Sequence, residues 1–208
     1  MTIDPKLSAT APGQSSIGRV GRFGRNSLPW FAIAAILAVT AYQLRAQGRR
    51  WWCICGQPNL WSGDPTGPHN SQHLFDPYSF THVLHGLVFY WLLAWTFRRL
   101  ACRWRLVLAV VLASLWEIFE NSAFTIQRYR AATAAVGYQG DSVANSLGDI
   151  LSCALGFLVA AKIGFRWSIA LFFATEAILL LWIRDDLLFS IAMLVYPISW
   201  IKEWQLGL

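Results

Sequence analysis

Ionisable side chains recur inside apolar runs long enough to cross a bilayer, and this pattern constrains the fold more than any other feature of the chain. The first run extends from Leu28 to about Leu44. A second begins near Asp76-Pro77 and ends near Phe97, a third covers Leu106 to Ile126, and a fourth runs from Gly140 to about Ala161. Trp167–Ile183 and the shorter, Pro197-containing Leu187–Ile201 follow. A membrane helix needs roughly 17 to 25 mainly apolar residues. An ionised side chain at its centre costs roughly 2.5 to 3.5 kcal/mol on insertion scales. His82, His85, Glu117, Glu120 and Asp149 all fall inside these runs, so they must face one another, a cation or a water-filled cavity rather than lipid.

Composition agrees with a membrane class. Only 13% of residues are charged and 56% are hydrophobic, with a mean hydropathy of +0.42, whereas soluble domains carry about 25% charged residues. The net charge of +6 is no nucleic-acid signal, because the arginines cluster at the ends of apolar runs and no RNA- or DNA-binding motif accompanies them. Arg98, Arg99, Arg103 and Arg105 fall within eight residues and place that linker in the cytoplasm by the positive-inside rule. Lys6, Arg19, Arg22 and Arg25 put the amino terminus on the same side. The resulting expectation is an all-α, polytopic bundle of about six transmembrane helices in the cell inner membrane. Residues 1–27 form a flexible cytoplasmic tail, and residues 28–208 form the bundle, with an outer loop at 45–76. A cleaved signal peptide is the rival for the first run, with Val39-Thr40-Ala41 as a tolerable cleavage pattern. The run Leu187–Ile201 either spans with a kink or lies in the interface.

All four histidines occur between His69 and His85, crossing from a polar loop into the second run. With the amino terminus inside, His82 and His85 lie one to two turns below the outer surface. Glu117, Glu120 and Asn121 sit at a matching depth near the outer end of the third run. Asp141 starts the fourth, with Asp149 about 12 Å deeper at ~1.5 Å per residue. Residues three and four apart share a helix face, so His82 with His85, Glu117 with Glu120, and Asn145 with Asp149 form three inward-facing groups. The inventory His82, His85, Glu117, Glu120, Asp141 and Asp149 can ligate one or two divalent metal ions, with Glu117, Glu120 and Asp149 available as acid/base groups. His69, His73 and Asn145 are candidates to contact a substrate, and Arg128 and Arg130 to hold an anionic headgroup. The bland reading is a network of interhelical hydrogen bonds, with the arginines as interfacial anchors. Cys53 and Cys55 flank one residue, too close for an unstrained disulfide. With His69 and His73 they also make up a zinc-ligand inventory.

The strings Trp52-Cys53-x-Cys55-Gly56, His69-Asn70-Ser71-Gln72-His73 and His82-x-x-His85-Gly86 resemble a family of uncharacterised alphaproteobacterial multi-pass inner-membrane proteins. Trp116-Glu117-x-x-Glu120-Asn121-Ser122, Arg128-Tyr129-Arg130 and Gly140-Asp141-Ser142-x-x-Asn145-Ser146-x-Gly148-Asp149 carry the same resemblance. It implies a membrane protein of no known reaction. More distantly, the order of a His helix, a Glu helix, an Arg loop and an Asp/Asn helix is similar to VanZ-like proteins, which are associated with cell-envelope lipids. The expected function is an outward-facing polar pocket, either of a metal-dependent enzyme acting on a lipid or lipid-linked substrate or of a non-catalytic lipid- or ion-binding protein. Membrane lipids are the expected partners.

Overall fold

The computed structural model of the chain describes residues 17–57 and 59–207, with side chains in the first helix from residue 27. Residues 1–16 of the expected tail lie outside the described residues, and the backbone is helical from Ile17. The described chain is all-helical: α1 (Ile17–Ala46), α2 (Ser79–Thr96), α3 (Cys102–Glu120), α4 (Ala123–Ala132), α5 (Val143–Ile183), α6 (Leu187–Val195) and α7 (Ser199–Leu206). Among the described residues, the extended backbone is limited to a single bridge, Trp61 to Phe75. By length and composition, Ser27–Ala46 and Val143–Ile183 can each cross a membrane, and the bent pair α3–α4 would make a third.

The 41-residue α5 is not one straight rod. Ser79 at the start of α2 donates to Asp149, and the neighbouring Phe80 packs against Trp182 with ring centroids 6.2 Å apart. Asp149 and Trp182 would be about 50 Å apart along an unbroken helix at ~1.5 Å per residue. The chain therefore turns back at Gly164, whose φ of 80° and ψ of 172° belong to a region open essentially to glycine alone. Residues 143–163 run alongside α2 in parallel, and residues 165–183 return antiparallel to it. Trp91, which bonds Ser168 at 2.8 Å, is held near the turn. The turn falls inside the Lys162–Arg166 stretch, where the basic residues predicted a break.

α2 meets the first arm of α5 without intervening side chains. A methyl group at Gly86 would overlap the carbonyl oxygen of Cys153 and one at Gly156 that of Val83, while Gly148 gives the loop before α2 the same close approach, at the carbonyl oxygen of Leu74. Small residues of this kind let membrane helices approach backbone to backbone. Leu93, Leu106, Ala109, Val110, Ile150 and Phe157 close the core between α2, α3 and α5, with Ile33, Ile36 and Leu37 of α1 packed outside it.

Two expectations change. The third run does not continue straight to Ile126. α3 stops at Glu120, and the chain bends by 72° into α4, because Ser122 takes an extended conformation and its hydroxyl caps the amide of Thr125. Arg128 and Arg130 therefore lie on a helix, not in a loop. The last apolar run divides into α6 and α7 around Pro197. At about 1.5 Å per residue neither nine nor eight residues reaches across a hydrocarbon core of about 30 Å.

Burial is inverted relative to a soluble protein. Glu117, Asn121 and Asn145 are no more than 1% exposed, while Leu181 is 86% and Phe31 70% exposed. Large apolar side chains on the outside, with buried polar groups sharing the interior with the apolar core, match a chain surrounded by lipid.

Candidate functional site

Three helix ends bring the site together. His82 projects from the first turn of α2, Glu117 from the last turn of α3 and Asp149 from the second turn of α5. His82 Nδ1 lies 3.3 Å from Glu117 Oε1, and its Nε2 lies 3.8 Å from Asp149 Oδ2. Glu120, one turn beyond Glu117, adds a carboxylate. His82, Glu117 and Glu120 each offer a ligand atom within 4.8 Å of the others. Ser79, one turn before His82, donates to Asp149 at 2.7 Å and fixes that carboxylate beside the ring.

The buried carboxylates differ in how well their oxygens are satisfied. Asp76 accepts from the amides of Ser71, Tyr78 and Ser79 and from the side chain of Asn145, which suits a fixed structural anion. Asp141 accepts from Asn121 Nδ2 at 2.8 Å and from the Tyr138 hydroxyl at 2.9 Å, and its amide donates back to Asn121 Oδ1. Burial still pushes its carboxyl up to about 6. Glu117, fully buried, has no hydrogen bond to either carboxylate oxygen, and Glu120 Oε2 is likewise unpaired. An unmatched buried polar group of this kind is costly unless a proton or cation occupies the gap.

Above these residues opens a cavity of about 70 Å³, set in a cleft of about 700 Å³ that includes the open solvent at its mouth. His82, His85, Glu120, Asp141 and Asp149 line it. Tyr78, Tyr129, Tyr138, Asp185 and Ser190 complete its polar wall. The sequence argument passed over these five, although Tyr78 sits one turn before His82. No Lys or Arg is among the lining residues.

The other sequence candidates are distributed as follows. His85 shares the cavity but packs its ring against Phe89 and Trp116, at 6.0 and 5.6 Å between centroids. Asn145 bonds Asp76, and its amide is capped by Ser142 Oγ at 3.1 Å, so Ser142 rather than Asp141 caps α5. Arg128 donates from Nε to the Leu194 carbonyl at 2.8 Å and from Nη2 to that of Val195 at 3.0 Å, closing the end of α6. Arg130 donates to the Tyr138 carbonyl. Neither arginine lines the cavity. His69 and His73 also lie outside it, beside Cys53 and Cys55. The described chain thus contains two groupings able to hold a metal ion.

The matched family is described as a protein of unknown function, DUF2585, and the match covers residues 44–207. A UPF0314 protein of Paracoccus denitrificans is 42% identical over 189 residues, 89% of this chain and 96% of its own length. One from Brucella anthropi is 41% identical over 94% of this chain and 97% of its own. One from Sphingopyxis alaskensis is 41% identical over 92% and 99%. No solved structure matches. The chain belongs to this family of unknown function, in line with the resemblance its motifs carry.

Proposed function

We propose that this member of the DUF2585 family is a multi-pass inner-membrane protein that binds a divalent cation at His82, Glu117 and Glu120 in an outward-facing pocket, and that it acts there on a lipid or lipid-linked substrate of the cell envelope. α1, α2, the α3–α4 pair and the two arms of α5 are read as five crossings, with α6 and α7 lying against the outer ends of the bundle. The arginine linker 98–105 and the 162–166 turn are then cytoplasmic, and the loop 48–76 and the cavity mouth face outward.

The observation that carries this reading is Glu117: a fully buried carboxylate with neither oxygen in a hydrogen bond, and with the His82 Nδ1 3.3 Å from Oε1. A divalent cation would satisfy those oxygens and draw in His82 and Glu120. Asp149, anchored by Ser79, would orient the far side of the His82 ring as outer carboxylates do for metal-bound histidines. Such an ion supplies Lewis acidity and an activated water. It also answers a difficulty of charge, because an all-acidic lining repels an anionic headgroup unless a cation stands between them. Tyr78, Tyr129 and Tyr138 supply hydroxyls to a substrate, and Glu120 is placed to move a proton at the cavity margin. An envelope lipid is proposed as substrate class from the distant VanZ-like resemblance of the sequence, from which the structure departs in carrying Arg128 and Arg130 on α4 and not in a loop. The same lining, with four carboxylates and no Lys or Arg, also favours a second reading, a non-catalytic cation-binding protein.

The test is metal content in mild detergent. The wild type is expected to lose one equivalent of bound metal on His82→Ala and on Glu117→Gln, with the folded state retained. A metal-free pocket in the folded wild type sinks the proposal. Metal-dependent release of phosphate or acyl product from envelope lipids, abolished by Glu117→Gln, separates the enzyme from the non-catalytic reading.

A further inference from the structure

The loop preceding α2 contains a second cluster that the pocket chemistry does not use. From Gly48 to Tyr78 the described backbone forms no helix or strand beyond the bridge Trp61–Phe75. Irregular connections longer than roughly 12–15 residues are uncommon in folded domains and need something to hold them. Two stretches of this loop are tied to the same helix end. The carbonyls of Arg50 and Trp51 accept from the amides of Val143 and Ala144. The Ser71 carbonyl accepts from the amide of Ser142, and the Gln72 carbonyl from its hydroxyl. The start of α5 therefore draws Cys53 and Cys55 against His69 and His73.

All four offer ligand atoms within 4.8 Å of one another. Cys53 Sγ is 3.3 Å from His69 Nδ1, and Cys55 Sγ is 3.8 Å from His73 Nε2. Two ligands on a tetrahedral Zn2+, with Zn–S near 2.3 Å and Zn–N near 2.0 Å, are about 3.5 Å apart. Both thiols are free. His73 is only 2% exposed and its Nδ1 has no hydrogen-bond partner, so this ring was not buried to serve an ordinary hydrogen-bond network. Spacing agrees for the histidines, which have three residues between them as in zinc sites, while the cysteines are one residue closer than is usual. Two thiolates with two imidazoles select zinc over the hard, oxygen-preferring cations.

We propose that Cys53, Cys55, His69 and His73 bind one structural Zn2+ that fastens the outer loop over the start of α5. The clip lies beside the cavity, since Asn70 and Ser71, between its two histidines, line the mouth. It is independent of the His82–Glu117–Glu120 centre, sharing no ligand with it.

The experiment uses the full chain in mild detergent carrying His82→Ala, which empties the pocket centre. One equivalent of zinc is expected to persist through dialysis. Replacement by Co2+ is expected to give a thiolate-to-cobalt charge-transfer band with the intense visible bands of a tetrahedral ion. Cys53→Ser with Cys55→Ser should abolish both. Cys53→His should keep the metal with roughly half the charge-transfer intensity, and this variant serves if the double substitution does not fold. The proposal is overturned by a folded protein without the charge-transfer band, by zinc retained undiminished in the folded double variant, or by a Cys53–Cys55 disulfide in protein prepared without reductant. Failure of the pocket reading leaves the band intact, so the two outcomes are distinct.

Discussion

Asp76 and Glu117 are both buried carboxylates near the ends of membrane-type helices, yet one accepts four hydrogen bonds and the other none, with only an ion-pair contact to the His82 ring at 3.3 Å. Sequence spacing brought the acidic groups together but could not rank them, because the ranking depends on loop amides such as that of Ser71. The same limit applies to the histidine pair. Three residues turn a helix through 300°, leaving about 60° between His82 and His85. That divergence places one ring between two carboxylates and the other against Phe89 and Trp116. His82→Ala should therefore remove pocket metal, while His85→Ala should leave most of it, as elemental analysis of the two purified variants would reveal. Asp185 provides a pH signature. Burial raises its carboxyl from 3.8 to about 7. The folded state holds that proton more tightly than the unfolded chain, so the associated stability is present below about 4 and is lost as pH rises through 7. Relative to wild type, Asp185→Asn should thus gain thermal midpoint progressively between pH 4 and 8. A flat difference across that range would contradict the assignment.

At the scale of elements, the apolar runs were legible because hydrocarbon accepts little else, and the Lys162–Arg166 interruption marked the reversal at Gly164. What could not be read was the bend after Glu120. Asn121-Ser122 is polar enough for a cap, but nothing nearby breaks the hydrophobic run that continues through Ile126. With that bend unseen, Arg128 and Arg130 looked available for ligands, when their guanidinium groups are committed to the α6 end and to Tyr138. Two substitutions test the packing directly. Gly156→Ala pushes a methyl group into the backbone of Val83 and should destabilise the bundle by about 3 kcal/mol, read as a large fall in the detergent melting temperature. Gly164→Ala meets open space but demands a positive φ, so its cost should be about 1–3 kcal/mol from backbone strain alone. A larger loss at Gly164 than at Gly156 would reverse this ordering.

For the molecule as a whole, the legible part was the logic of an inverted interior: side chains that hydrocarbon rejects must share a centre, and His82, Glu117 and Asp149 do. The clustering of Cys53 and Cys55 with His69 and His73 depends on how a long loop threads over α5, which local sequence does not encode. The proposed five-crossing arrangement predicts that a single cysteine introduced at Thr66 reacts with an impermeant reagent added outside intact cells, whereas one at Arg99 reacts only after lysis; the opposite pattern would invert the topology. One last consequence follows from Gly86 and Gly156, the two glycines where α2 and the first arm of α5 press carbonyl against Cα. That seam has no slack, so the two rods behave as a fixed back wall. The rest of the lining includes Tyr129 and Thr133 at α4 and Leu187 and Ile191 of α6, away from that glycine seam. If the proposed lipid enters sideways from a bilayer, α4 and α6 would have to part, and the two Arg128 bonds to Leu194 and Val195 would have to break.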